Sequence, residues 1–322
     1  MKVNKLVLVL LLSCLNFAGA GEALQIVSSK QFYSIATASI NGTYYPVGLA
    51  LSKLFNSRLT QIVTLAEPTT GSVDNIKYLD KGDAAFAIVQ SDVLLDAFKG
   101  QGKFEQPVTK LRVVLSLYPE IIHVIVLESS EIRSIADLKG KNIVPGAQGS
   151  GSAVNAEFVL KYFELKSTDY NAKYMEFTKA TDALQNGYVD AIFWTGGIPG
   201  EGVSMLAKME PIRILSFPDP ILEKISSEYS CYSKETIPAG TYGQKFEIHS
   251  LGLRAILATT DNIDEEMIHS MLSLIFDNTP YLATLHPRAA DIKLSEALKG
   301  ISIRMLHPGA RKYFQQKGFL GD

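Results

Sequence analysis

The stretch GAQGSGSAVNAEFVLKYF, residues 146–163, decides the fold, because it converts an apolar strand into an amphipathic helix through a turn rich in glycine and serine. The apolar segment 142–145 precedes it, Ser152 occupies the predicted N-cap position, and the helix is expected from Ala153 to Phe163. Such a turn points unpaired backbone N–H groups and the positive end of a helix dipole at one place. The stretch therefore predicts a site for a small anionic group.

Three known motifs do not fit this stretch. A dinucleotide-binding fingerprint needs a third glycine where Val154 stands, and a phosphate-binding loop needs Gly-Lys followed by Ser or Thr. A nucleophile elbow needs glycines two residues on either side of Ser150, but Gln148 and Ser152 stand there. An ordinary tight turn with a capping serine remains the alternative to a binding role.

The same patterns occur twice in the chain. The segment NGTYYPVGLAL, residues 41–51, also opens a helix after a glycine and a hydroxyl residue. In 79–92 a glycine ends a helix and an apolar strand then stops at Gln-Ser-Asp, and 184–197 repeats this order with a stop at Thr-Gly-Gly. Strand and helix patterns alternate over residues 24–115. An α/β protein of two similar lobes is predicted, with a cleft at the carboxyl ends of the strands.

Residues 1–20 have the pattern of a signal peptide, with two lysines, an apolar run at 6–12 and a small-residue cleavage site at Ala18-Gly19-Ala20. The apolar run is shorter than the roughly 20 residues that span a bilayer. Export to the periplasm is therefore expected, and a lipid anchor on Cys14 is the weaker alternative.

Composition excludes several function classes. The 322 residues include 31 Lys and Arg against 33 Asp and Glu, and without a basic block nucleic acid is not an expected partner. Cys231 is the one cysteine beyond the leader, so no internal disulfide is expected, and a structural role is favoured over a reactive thiol. The five histidines lack metal-ligand spacing, so neither a metal nor a cofactor is predicted, and a monomer is expected.

Prolines mark the places where the chain is expected to cross between lobes. Strand patterns at 111–117 and 121–127 flank Tyr118-Pro119-Glu120, and two prolines close the segment 213–220, where the return crossing is predicted. These crossings divide the chain into a signal peptide at 1–20, lobe one at 21–118 and 221–322, and lobe two at 119–220.

Several single residues have two interpretations. Asn75 lies at a capping-box position, where it is either structural or directed at a ligand. His123, inside an apolar run, is favoured as a core residue, and Trp194, the single tryptophan, is either a cleft wall or a core aromatic. Glu67 and Glu120 are candidates for binding a ligand ammonium group, but the sequence does not place either of them in the cleft.

Six blocks of the chain together resemble one family. In order they are GTYYPVGLALSKLFN, TTGSVDNIKYLDKGDAAFAIVQSD, LYPEIIHVIV, IADLKGKNIVPGAQGSGSAVNAEFVL, NGYVDAIFWTGGIP and LHPGARKYFQQKG. They are similar to the TAXI family, the extracytoplasmic solute receptors of one class of TRAP transporter. The resemblance implies the two-lobed periplasmic binding protein fold of type II with a two-strand hinge. It also implies a membrane partner with a small and a large integral subunit, usually driven by sodium.

By the same resemblance the protein is not an enzyme, and its ligand is a small carboxylate such as glutamate, glutamine or 2-oxoglutarate. The ligand carboxylate is expected at the helix start after the glycine stretch, while lobe one contacts the rest. No arginine lies in the cleft blocks, so dipoles and hydroxyls are expected to hold the ligand. The predicted ligand-binding residues are Thr43, Tyr44, Gln90, Ser91, Gln148, Ser150, Gly151, Ser152, Asn155, Trp194 and Gly197.

Two other function classes remain open at the level of sequence. An enzyme on the same scaffold would need a nucleophile and a base, and no such motif is visible, although residues distant in sequence can form a triad. A ligand sensor that is not coupled to transport would carry the same cleft.

Overall fold

The computed structural model describes residues 30–321, so the predicted leader with Cys14 lies outside the described residues. Within this range the strands, labelled β1 to β10 in chain order, are Gln31–Ala36, Ile62–Glu67, Phe86–Gln90, Leu111–Leu127, Asn142–Val144, Asn171–Ala172, Ala191–Gly196, Ile212–Ile214, Ser233–Ile237 and Ile248–Thr260.

Helices cover the sheet. In chain order, α1 to α10 are Tyr44–Arg58, Ser72–Lys81, Ser91–Lys99, Gly151–Tyr162, Phe177–Gln185, Glu201–Met209, Asp219–Glu228, Glu265–Asp277, Thr279–Leu285 and Pro308–Gln316. Short 3₁₀ helices lie at Ile135–Leu138, Pro287–Asp291, Leu294–Glu296 and Ile303–Met305.

The strands form one mixed sheet in the order β2-β1-β3-β10-β4-β7-β5-β6, with β8 added beside β4 and β9 beside β10. Parallel pairs lie toward both ends, where β1 pairs with β2 and β3 and where β5 pairs with β6 and β7. In the middle, β10 is antiparallel to β3 and β4, and β4 is antiparallel to β7. The predicted α/β class is confirmed.

Two long strands, β4 and β10, run through both halves of the molecule. The predicted break at Pro119 is not a break in β4, which continues to Leu127 and pairs Pro119 with Arg254 of β10. The largest apolar core takes β4 residues up to Tyr118 and β10 residues from Ala255. The apolar β4 residues from Ile121 onward belong to two other cores, and Leu253 of β10 belongs to one of these two. The cores therefore separate beside the Pro119–Arg254 pair.

We propose that the lobes divide at this pair, with residues 30–118 and 255–321 in lobe one and residues 121–253 in lobe two. The return near residue 221 that the sequence suggested is replaced by a return inside β10. Leu222 and Ile225 of α7 pack with Leu253 in a lobe-two core. The two prolines that suggested a crossing stand at the start of α7, where the fixed φ of proline suits the first turn of a helix.

The repeated pattern is present in both lobes. A left-handed glycine follows α2 at Gly82 and α5 at Gly187, with φ of 78° and 69°. The buried strands β3 and β7 come next and end toward the same space between the lobes. Both helix starts after glycine and hydroxyl residues, those of α1 and α4, border that space as well. The two halves thus direct equivalent elements at one place.

Candidate functional site

A cavity of about 740 Å³, partly open to solvent, lies between the two lobes. Residues after the carboxyl ends of β1 and β5 line it, and the last residues of β3 and β7 do so as well. This is the position where ligands bind in open α/β sheets.

Five helices begin at this cavity. The first residues or N-caps of α1, α2, α3, α4 and α5 all belong to its wall, at Tyr44, Ser72, Gln90, Gly151 and Phe177. The first N–H groups of a helix have no intrahelical acceptor, and the helix dipole is positive at that end. The cavity is therefore favourable to negative charge although, among the described residues, no Lys, Arg or His lines it.

The structure brings most of the predicted site residues together. Seven of them line the cavity: Thr43, Tyr44, Gln90, Ser150, Gly151, Ser152 and Trp194.

The other four predicted residues lie off the cavity wall. Ser91 is buried in α3 and accepts a hydrogen bond from the Arg254 N–H at 3.2 Å. Gln148 faces a separate opening on the other side of the glycine stretch. The Cα of Gly197 packs against the side chain of Arg288. Asn155 is hydrogen-bonded to another buried side chain of the protein.

Asn155 belongs to a buried interlobe cluster. Its Nδ2 donates to Asp92 Oδ2 at 2.6 Å, and the Tyr232 hydroxyl donates to the same oxygen at 2.8 Å. Burial raises the pKa of the Asp92 carboxyl to about 6. Asn155 is a helical residue of α4 whose side chain points away from the cavity, so the prediction from its spacing placed it on the wrong face.

The N-cap of α4 is Ser150 and not Ser152 as the sequence suggested. Ser150 Oγ accepts from the Ala153 N–H at 3.1 Å, as a capping serine does. Ser152 lies inside the first turn, and its Oγ accepts from the Thr195 N–H at 3.1 Å, which ties α4 to the end of β7. Both hydroxyls border the cavity while each holds a structural bond.

Asn75 is structural. Its Nδ2 donates to the Thr37 carbonyl at 2.6 Å and to the Ile88 carbonyl at 2.8 Å, so it joins the residue after β1 to the middle of β3. Ser72 is the first residue of α2, and its Oγ accepts from the Gln90 N–H at 3.1 Å. Its Oγ fixes the backbone of the cavity residue Gln90.

Trp194 forms part of the cavity wall and is also held by core residues. It packs edge-on against His123, with ring centroids 4.8 Å apart, and against Phe177 at 5.9 Å. His123 is fully buried as predicted, its Nε2 lies 3.1 Å from the Tyr242 hydroxyl, and burial lowers its pKa to about 4. The buried, neutral imidazole of His123 therefore packs against the indole ring of Trp194.

Glu120, at the point where β4 passes between the lobes, is the more buried of the two acidic residues in the wall. Its side chain is 1% exposed, and the Tyr44 hydroxyl donates to Oε2 at 2.8 Å. Burial, reinforced by nearby Asp92, raises the pKa of this carboxyl to about 8. Glu67, the other acidic candidate, is exposed at the end of β2 and does not line the cavity.

Sequence patterns did not identify several wall residues of lobe two. Met175 precedes α5 and Phe177 begins it, in a segment with no turn motif. Thr195 is the penultimate residue of β7, and its Oγ1 is buried and unpaired. The position of Thr195 after a buried strand is a usable signal, since strand ends bear ligand contacts in this architecture. Nothing in the sequence around Met175 signals its place.

No group of histidine, cysteine and acidic residues suited to a metal ion occurs within residues 30–321. Over the same span, every helix is too short or too polar to cross a membrane. Cys231 is partly buried beside a lobe-two core, and burial raises the pKa of its thiol to about 12, which disfavours the reactive thiolate.

The chain matches a model of the NMT1-like family over residues 35–318. Its fold is similar to the alkanesulfonate-binding protein SsuA from Xanthomonas axonopodis pv. citri bound to MOPS, with 16% identity, coverage of 91% of this chain and 96% of that one, and a TM-score of 0.51. An ancestral arginine-binding protein bound to arginine is 13% identical, with coverage of 82% of this chain and 98% of that one and a TM-score of 0.50. A protein assigned to L-cystine ABC transport in Listeria monocytogenes is 14% identical, with coverage of 84% and 100% and a TM-score of 0.51. These likenesses establish the fold of periplasmic binding proteins.

Proposed function

Because the chain belongs to the NMT1-like family and has the fold of solute-binding proteins, we propose that it is an extracytoplasmic receptor that captures a small carboxylate between its lobes. Glutamate, glutamine and 2-oxoglutarate are the first candidates, from the resemblance to TAXI receptors. The neighbours are solute-binding proteins rather than enzymes, which supports a binding role. Their solutes differ from one another, so the solute has to be argued from the cavity.

The observation that carries the proposal is the convergence of five helix starts on a cavity without a cation. A carboxylate in that position is stabilised by aligned N–H groups and by hydroxyls such as those of Ser150 and Thr43. A hydrogen bond to a charged group is worth about 1.5 to 3 kcal/mol. Several such bonds account for firm capture without an ion pair.

Contacts between the lobes support capture by closure. The Val73 N–H of lobe one donates to the Gly149 carbonyl of lobe two at 3.1 Å, and Asn41 Nδ2 donates to Thr178 Oγ1 at 3.0 Å. Asn41 lines the cavity, and Val73 and Gly149 line the separate opening beside the glycine stretch. A ligand that touches both lobes stabilises the state in which these bonds form.

Thermal unfolding of refolded, ligand-free protein with a panel of amino acids, dicarboxylates and sulfonates tests the proposal. A ligand at 100 times its dissociation constant adds about 2.7 kcal/mol. That corresponds to a rise of roughly 5 to 10 °C at about 2 to 4 °C per kcal/mol. Stabilisation by a carboxylate is expected, whereas stabilisation by sulfonates alone would contradict the proposal.

The proposed membrane partner is a TRAP transporter complex, and an ABC importer is the alternative suggested by the neighbour from Listeria. Uptake by a TRAP complex stops when the ion gradient is collapsed by an ionophore, whereas uptake by an ABC importer stops with vanadate. The measurement is solute uptake by cells with and without this protein. Uptake that does not depend on the protein would favour a sensor.

A further inference from the structure

One oxygen of Glu120 is available to a ligand. Tyr44 donates to Oε2, and no described residue donates a hydrogen bond to Oε1. The carboxyl is buried in the wall of the cavity and lies on the strand that links the lobes. A buried carboxyl with an unused oxygen is costly unless a donor approaches it.

Two more acceptors lie in the same wall. Gln90 Oε1 and Thr195 Oγ1 are buried without a hydrogen-bond partner, and their side chains are 2% and 8% exposed. Gln90 comes from lobe one and Thr195 from lobe two, and both residues line the cavity, so unpaired polar atoms belong to both sides of its wall. In native proteins such groups are rare and call for a partner.

The rest of the wall is apolar or neutral. Met175, Phe177 and Trp194 lie on its lobe-two side, and its acidic members among the described residues are Glu120 and the half-exposed Glu176. A second carboxylate on the ligand would meet no cation and would face these acids. Because burial of a charge against the apolar side chains of Met175 and Phe177 is costly, an uncharged ligand side chain fits this part of the wall best.

Resting on the proposed function, we propose that the solute is an amino-acid zwitterion with an uncharged side chain, whose ammonium group is bound by Glu120 with Gln90 and Thr195. Its carboxylate lies at the helix starts, and its side chain packs against Met175, Phe177 and Trp194. This assignment narrows the small carboxylates to those that carry a protonated amine. It predicts that 2-oxoglutarate and glutamate bind more weakly than neutral amino acids.

If Glu120 binds the ligand ammonium group, its surroundings lead us to expect that a proton is released on binding. Tyr44 from α1, Tyr118 from β4, Asp92 from α3 and Arg254 from β10 are the titratable groups that act on it. With a pKa of about 8, Glu120 is protonated at pH 7 in the free protein. A bound ammonium favours the carboxylate and expels that proton, whereas a ligand carboxylate bound by protonated Glu120 would favour proton uptake above pH 8.

The test is calorimetric titration at pH 7 in two buffers of different ionisation enthalpy, which counts protons exchanged on binding. The probes are L-leucine, L-phenylalanine and L-glutamine, each beside its 2-oxo acid, together with L-glutamate and 2-oxoglutarate. The neutral amino acid that binds is expected to release close to one proton and to bind at least about tenfold more tightly than its 2-oxo acid.

Two variants distinguish a specific role of Glu120 from a general effect of removing an acidic side chain. Glu120→Gln, which keeps the shape of the side chain, is expected to abolish proton release and to weaken binding by about 10- to 100-fold. Glu67→Gln, at an exposed acid off the cavity, is expected to change neither quantity. Proton release is also measured on the wild-type protein, so the proposal remains testable even if a variant folds poorly.

Each other outcome has one meaning. A 2-oxo acid that binds as tightly as its amino acid, or binding of the amino acid without proton release, overturns the ammonium assignment and leaves the carboxylate receptor intact. Tighter binding of L-glutamate than of every neutral amino acid overturns the uncharged side chain. Failure of all these acids to bind overturns the proposed function itself.

Discussion

Single glycines of the stretch 146–152 are required by the closeness of the two lobes. A Cβ on Gly151 would lie 2.1 Å from Gln90 Oε1 and 2.9 Å from Ser72 Oγ. A Cβ on Gly149, where φ is 85°, would lie 2.5 Å from Asp74 Oδ2. Because Gln90, Ser72 and Asp74 all belong to lobe one, these glycines allow lobe two to close upon it.

Gly151→Ala is expected to weaken ligand binding while leaving the stability of the ligand-free protein nearly unchanged. Gly151 begins a helix without a positive φ, so alanine is strained only where Gln90 approaches. Overpacking costs about 1 to 3 kcal/mol, which corresponds to a 5- to 100-fold loss of affinity. Calorimetric titration measures it.

Gly187→Ala is the matched control for Gly151→Ala. Its Cβ would meet nothing within 4 Å, but φ is 69°, so the expected cost is about 1 to 2 kcal/mol of stability without a change in affinity. If Gly151→Ala bound ligand normally, the lobes would not need the contact described.

Glu120 is expected to make the free protein less stable as the pH rises. Burial raises its pKa from 4.5 to about 8, and that of Asp92 from 3.8 to about 6. The folded state therefore holds protons that the unfolded state has released, and stability falls between the two values of each group. Above pH 6 the fall is due mainly to Glu120, with a slope of at most about 1.4 kcal/mol per pH unit.

Urea unfolding at pH 6, 7 and 8 checks this dependence. The buried His123, whose pKa is lowered, contributes the opposite trend below about pH 7, so the two proteins are compared with each other. The stability of the wild type relative to Glu120→Gln should fall across the series. Equal slopes in the two proteins would show that Glu120 is not protonated in the folded state.

At the scale of elements, α3 and α4 are joined by the buried cluster of Asp92, Asn155 and Tyr232. The first residue comes from lobe one and the other two from lobe two. Tyr232 also stacks on Phe158 of α4, with centroids 4.7 Å apart. The cluster fixes the angle at which α4 presents its start to the cavity.

Tyr232→Phe is expected to destabilise the protein by about 1.5 to 3 kcal/mol, because it removes a donor from a buried carboxyl while keeping the stacked ring. Denaturant unfolding measures this. Tyr162→Phe is the control, since that hydroxyl makes a long, exposed contact of 3.4 Å with Glu228, and a change within about 0.5 kcal/mol is expected. Equal losses in both variants would contradict a special role for the cluster.

Elements with strong local signals could be predicted, and those defined by distant partners could not. The glycine turns after α2 and α5 and the buried strands β3 and β7 follow from their sequence patterns. The strand β9 did not, because its residues SKETI are polar and its pairing with β10 gives it its conformation. The cap of α4 was misplaced by two residues because two serines there suit the role equally.

At the scale of the whole molecule, the repetition of one pattern in two halves was enough to predict two lobes and a cleft. The place where β10 returns to lobe one was not, since the strand continues through that point without a proline or a turn. The position of Glu120 in the cavity depends on the crossing of β4 and β10, which join residues far apart in sequence. Spatial neighbours of this kind leave no local signal.

An ion pair between the lobes, Lys103 with Glu157 at 2.6 Å, is expected to contribute little to closure. The two side chains are 44% and 37% exposed, and exposed pairs contribute about 0 to 1 kcal/mol. Lys103→Gln should therefore weaken ligand binding less than about fivefold, and only at low salt. Titration at two salt concentrations tests this.

The control for Lys103→Gln is Lys110→Gln, whose pair with Asp80 lies within lobe one and should not affect affinity. A loss above tenfold in Lys103→Gln that persisted at high salt would contradict the expectation and place Lys103 among the groups that bind the solute.

Fluorescence of Trp194 tests the central claim, the binding of a small carboxylate between the lobes, most directly. It is the single tryptophan of the chain, it lines the cavity, and it is 8% exposed. A carboxylate that raises the unfolding temperature is expected to change its emission saturably, with the same dissociation constant as calorimetry gives. Thermal stabilisation without any change in Trp194 emission would place the ligand elsewhere and contradict the account.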